Sequence, residues 1–152
     1  MKKYLFLSLA PLITIIYSCK NDDKKNTAPE SNIDAARNFI RAALDGKFIE
    51  ARRFMLSDTV NTNYMDVVER TYDKTDSDTK IGYRTASINI HQVTEIFKDS
   101  VTIVIYSNSF KNNPDTLRLL KIKDQWLVDL KYLYEHGSDS LQHTIHLNDS
   151  LP

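Results

Sequence analysis

Val101-Thr102-Ile103-Val104-Ile105-Tyr106-Ser107-Asn108-Ser109-Phe110 is the most strand-like stretch of this chain, rich in β-branched and aromatic residues. Such side chains suit a pleated, half-buried surface. Before it, Tyr83 to Phe97 sets Ile88 and Ile90 among alternating polar residues and reads as another strand. Lys98-Asp99-Ser100 is short enough to join the two as a hairpin. After it come a turn at Lys111 to Asp115 (KNNPD), a third strand at Thr116 to Lys123, a tight turn at Asp124-Gln125, and a fourth strand at Trp126 to Leu133. Period-two alternation in the fourth strand puts Trp126, Val128, Leu130 and Tyr132 on one face. It puts Asp129 and Lys131 on the other face, outside.

Upstream of these strands the period is helical. Ser31-Asn32-Ile33-Asp34 is a helix start, a capping side chain followed by an acidic first turn. Ile33, Ala36, Ile40, Ala43 and Leu44 recur at helical spacing, with Phe39 beside them. Gly46 is a natural stop, because glycine takes the left-handed conformation without a Cβ penalty. A second helical piece runs from Phe48 to about Met55, and Ser57-Asp58-Thr59 breaks it. A third spans Thr62 to Tyr72, with Tyr64, Met65, Val68 and Tyr72 inward. Asp73 to Lys80 (DKTDSDTK) has no apolar residue and reads as a charged loop. Helices first and antiparallel strands after predict an α+β domain over residues 32–134, with the helices on one face of a sheet of about four strands. Residues 135–152 form a polar tail in which the apolar signal fades.

The N-terminal segment has another character. Met1-Lys2-Lys3 is cationic, and Tyr4 to Tyr17 carries no charge before Lys20, Asn21, Asp22 and Asp23 end the run. A short basic region followed by an apolar run of this length reads as a secretory signal peptide over residues 1–18. It falls short of the roughly 20 residues that a spanning helix needs. Ile16-Tyr17-Ser18-Cys19 resembles the bacterial lipobox. That resemblance implies cleavage after Ser18 and a lipid on Cys19, the single cysteine of the chain. A lone cysteine in an exported chain can form no internal disulfide, and lipidation explains it. Two or more acyl chains anchor stably, at about 0.8 kcal/mol per buried CH₂. Cys19-Lys20-Asn21-Asp22-Asp23 is similar to the lipoprotein export signals of Bacteroidetes. The expected address is therefore the cell envelope, at the outer membrane and toward its outer face. Residues 19–31 then form a lipidated cysteine and a polar tether.

Removing residues 1–18 leaves 134 residues with a formal charge of −2, the size of one ordinary domain. There is no basic excess to neutralise phosphates, so nucleic acid is excluded as an expected partner. With 3 Gly and 4 Pro in the chain, neither a Gly-rich phosphate loop nor a disordered body is expected.

The stretch from Ala35 to Met55 (AARNFIRAALDGKFIEARRFM), with its first helix ending at Asp45-Gly46 and a short helix following at once, resembles the opening of the nuclear transport factor two-like (cystatin-like) fold. More closely, it is similar to small bacterial lipoproteins of unknown function with that fold. Lys123-Asp124-Gln125-Trp126-Leu127-Val128-Asp129 is similar to their closing hairpin and its inward Trp. The likeness covers Ile33 to Leu133. It implies a curved sheet wrapped around the first helix, leaving a cone with a cavity at one end. It carries over no catalytic residue.

Candidates to line such a cone are Tyr64, Tyr83, His91, Tyr106 and Tyr132. His91 would be the natural general base, since its pKa lies near neutrality. A base must reach the proton it takes, and sequence does not place it. His143 and His146 have the i,i+3 spacing of paired ligands, but no helix, carboxylate or cysteine completes a metal site there. No Ser-His-Asp order and no paired-carboxylate motif appears. The expectation is an anchored, non-enzymatic envelope protein needing no cofactor or metal. Its domain binds a small apolar ligand or an envelope protein partner. A small acid–base enzyme using a cone His or Tyr, and an accessory subunit of an envelope complex, are the alternatives.

Overall fold

A computed structural model describes residues 31–136. The signal peptide, Cys19, Lys20, Asn21, Asp22, Asp23, His143 and His146 lie outside the described residues.

Helix α1 (Asn32–Leu44) starts where Ser31 accepts the Asp34 backbone N–H at 3.1 Å. It stops at Gly46, whose φ of +74° lets the Gly46 and Lys47 N–H groups return to the Ala43 and Ala42 carbonyls. The short α2 (Phe48–Ala51) continues into a 3₁₀ turn, Arg52–Phe54. Helix α3 (Thr59–Lys74) is capped by Asp58, whose Oδ1 accepts the N–H groups of Val60 and Asn61 at 2.9 and 3.0 Å. Four strands follow: β1 (Ile88–Phe97), β2 (Val101–Asn108), β3 (Asp115–Ile122) and β4 (Gln125–Asp129). They pair antiparallel in the order β1-β2-β3-β4. The α+β class, the helices-then-strands order and the four-stranded antiparallel sheet expected from sequence are therefore observed.

Four local expectations are overturned. The charged Asp73 to Lys80 segment is largely helical, because α3 runs through Lys74 and α4 (Ser77–Thr85) starts there. Asp76 caps α4 by accepting the Thr79 N–H at 2.8 Å. The first strand begins at Ile88, and Tyr83 belongs to α4. The fourth strand ends at Asp129, where α5 (Leu130–His136) begins. Period two fails there because polar side chains take the backbone donors of a new helix. Asn61 Oδ1 accepts from Leu130 N at 2.6 Å, and Asp129 Oδ1 accepts from Lys131 N at 3.2 Å. The tight turn falls one residue earlier than expected, with Lys123 and Asp124 both at positive φ between Ile122 and Gln125. Two such residues make the turn whose twist matches a hairpin.

The core lies between the helices and one sheet face. Val104 opposes Leu117 and Leu119 opposes Val128. All four are buried with Ala36, Phe39, Ile40, Met65 and Trp126. Asn32 of α1 donates to Thr102 Oγ1 at 3.0 Å, fixing where the chain enters the fold. The Met55–Leu56 segment covers the outer edge of β4, with Leu56 N donating to the Val128 carbonyl.

Asp129 was expected outside, yet it is 3% exposed. It does point away from the apolar core face, beside Arg118 in the register. Arg118 donates to it through Nε at 3.0 Å and through Nη2. Asn61 Nδ2 reaches Asp58 Oδ2 at 2.6 Å and Asp129 Oδ1 at 3.4 Å. A buried amide that loses its side chain orphans its partners at about 1–3 kcal/mol. Asn61→Ala is therefore expected to lower unfolding stability by about 1–3 kcal/mol. The exposed Asn63→Ala should stay within about 0.5 kcal/mol of the parent. Urea unfolding followed by circular dichroism measures both, and equal midpoints would remove Asn61 from its structural role.

Candidate functional site

A cleft of about 300 Å³ opens between α1, α3 and α4. Phe39, Ile40, Ala43 and Leu44 form one wall, from the C-terminal half of α1. Val67, Val68, Thr71, Tyr72 and Thr75 form the opposite wall. Tyr83 closes the side from α4, and Tyr106 of β2 supplies the floor. These positions follow from helical period, since Phe39, Ile40, Ala43 and Leu44 share one α1 stripe.

Arg41 holds the third wall in place. Its Nη1 and Nη2 donate to the Ala86 and Tyr83 carbonyls at 2.8 and 3.1 Å, tying the end of α4 to α1. Asp45 neutralises it at 2.8 Å. A run of aromatic contacts crosses the cleft rim. Phe48 meets Tyr72 edge-on at 5.3 Å, Tyr72 lies 6.5 Å from Tyr83, and Tyr83 meets Phe110 edge-on at 5.2 Å. Two glycines make room for it. A Cβ on Gly46 would lie 2.6 Å from the Tyr72 ring, and one on Gly82 would lie 2.4 Å from Phe110. Cations gather at Tyr72. Arg84 Nε donates to its hydroxyl at 3.3 Å, and Lys80 Nζ sits 5.4 Å from the ring centre.

Tyr106 donates its hydroxyl to Asp115 Oδ2 at 3.3 Å. Burial pushes both groups above their ordinary pKa values, with the Asp115 charge adding to the effect on Tyr106. The phenol is therefore held neutral and already committed as a donor, which suits it to hydrogen bonding and not to proton abstraction.

Of the five tyrosine and histidine candidates, only Tyr83 and Tyr106 line the cleft. Tyr64 packs against the main core. Tyr132 lies beneath Arg118, 4.8 Å from its guanidinium carbon, at the β3–α5 contact. His91 is exposed, and its Nε2 lies 2.8 Å from Ser107 Oγ. Ser107 follows Tyr106 on β2, so it points to the sheet face away from the cleft. His91 follows Ile90, which packs against the core, so strand alternation sets it on the opposite sheet face, beside the register slip between Ile90 and Gln92. Among the described residues, no histidine and no carboxylate lines the cleft. Among the described residues no group of three or more His, Cys, Asp or Glu could hold a metal, and no helix is long and apolar enough to cross a membrane.

No protein-family model matches this chain, and neither a curated protein nor a solved structure matches it.

Sequence reading missed Arg41, Asp115, Lys80 and Arg84. Only the Asp76-Ser77-Asp78-Thr79 cap could have signalled α4 and its two cations. Asp115 gives a pH test with a definite sign. A carboxyl whose folded pKa is raised contributes stability below its unfolded pKa, and that contribution is lost as pH rises through the folded value. Asp115→Asn should therefore gain stability relative to the parent at pH 7 and lose the advantage below the ordinary carboxylate pKa of about 4. Urea unfolding at both pH values checks this, and an advantage that grows toward acid would show the opposite shift.

Proposed function

We propose that this chain is a lipid-anchored cell-envelope protein whose α+β domain is a non-catalytic binding module for a small apolar ligand. The observation that carries this reading is the lining of the cleft. Aliphatic and aromatic side chains form its walls, and its polar groups are Thr and Tyr hydroxyls. A concave apolar site with a few placed hydroxyls is the usual form of a small-molecule pocket. The volume, about 300 Å³, lies at the lower end of that class. The nuclear transport factor two-like resemblance supports it, since it implies a cavity at one end of a sheet-and-helix cone. The acid–base enzyme loses its main support, because His91 faces elsewhere and Tyr106 is held protonated. The anchor rests on the signal peptide and on Cys19.

Val68 faces the cleft from the middle of α3, so Val68→Trp should fill it. A neutral naphthylamine fluorophore should bind the parent with an emission blue-shift, and Val68→Trp should weaken that binding at least tenfold. Matching unfolding midpoints would confirm that the variant folds, and unchanged probe affinity would refute the cleft as the site. For the anchor, Cys19→Ala should lack the lipid mass and retain residues 1–18 by mass spectrometry. Normal processing with unchanged membrane fractionation would refute the lipoprotein reading.

A further inference from the structure

The cleft interior is apolar, but its rim is not neutral. Lys80 and Arg84 stand one turn apart on α4, and both approach Tyr72, whose ring lines the cleft. Lys80 Nζ donates to the Asp73 carbonyl at 3.0 Å and has two further hydrogens to give. Arg84 spends only Nε, on the Tyr72 hydroxyl. Neither cation pairs with a described carboxylate, whereas Arg41, the third cation nearby, is answered by Asp45. Asp76, which caps their helix, is engaged with the Thr79 N–H. Like charges at i,i+4 repel, and an anion placed between them relieves that repulsion.

We propose, resting on the cleft reading above, that the ligand is an amphiphile. Its single medium-length apolar chain lies between α1 and α3, and its anionic head group sits at the rim between Lys80 and Arg84. The volume suits a medium-length chain. A dry cavity of about 150 Å³ accommodates benzene, so about 300 Å³ takes a chain of about ten carbons. No carboxylate is among the described residues that line the apolar interior, while Asp73 and Asp76 flank Lys80 at the rim. Lys80 offers a point charge and Arg84 a planar fork, a pair that fits either a carboxylate or a phosphate. The shared chemistry is therefore an anionic head on a ten-carbon tail, whether from a free fatty acid or from a lipid phosphate.

The test uses the mature chain with Cys19→Ser, so that no attached lipid competes. Titration calorimetry with decanoate, decyl phosphate and decanol compares heads on one tail. Both anions should bind at least tenfold more tightly than decanol, and the tighter of the two identifies the source. Lys80→Glu with Arg84→Glu should erase that preference while decanol still binds. Lys80→Gln with Arg84→Gln, which keeps most of each stem, should reduce it in the same direction. Equal affinity for all three ligands, or a preference that survives both double variants, would overturn the anionic head group and leave the cleft standing. Failure of all three to bind the parent would overturn the cleft reading and this proposal together.

Discussion

Asn61 joins the two halves of this domain. It sits one turn into α3, 1% exposed, and its amide meets groups that the chain supplies far apart. It donates to Asp58 at the head of its own helix and to Asp129 at the end of the last strand, and it accepts from the first backbone N–H of α5. Arg118 then balances the Asp129 charge from β3. A buried carboxylate without such partners would be strongly destabilising. The helix layer and the sheet are thus fastened by polar groups that satisfy one another, in addition to the apolar core between them. The position of α3, and so one wall of the cleft, follows from that fastening.

The same logic governs the site. Arg41 holds α4 by its last carbonyls, Gly46 lets α1 end against Tyr72, and Gly82 lets Phe110 press on the α4 backbone. The cleft is therefore framed by packing of backbone against ring. Its width is set by where two residues lack a side chain.

Much of the fold was legible because it is written in period. Val101 to Asn108 is a β-branched and aromatic run, and Phe39, Ile40, Ala43 and Leu44 repeat at helical spacing. The two turns around β2 and β3 carry the residues that turns need. Three features were not legible, and each turned on a polar contact that hydrophobic period does not record. Leu130 continues the alternation of Trp126 and Val128, but the hydrogen bond that its N–H donates to Asn61 Oδ1 makes it the start of a helix. Asp73 to Lys80 has no apolar stripe, so α4 is visible only through its cap. Asp129 looks like an outward acid until Arg118 is placed beside it by the strand register. In the site, Tyr83 and Tyr106 were identified as candidates, whereas alternation from Ile88 and Ile90 already sets His91 on the opposite face.

The hydrogen bond from Asn32 to Thr102 fixes the point where the chain enters the fold, at the head of α1. The cleft opens along the other half of that helix, whose length is about 20 Å at 1.5 Å per residue. Entry and opening therefore sit at opposite poles. A partner that gripped the domain at Asn32 would therefore take hold of α1 at the end remote from the cleft wall, and would leave Phe39, Ile40, Ala43 and Leu44 uncovered.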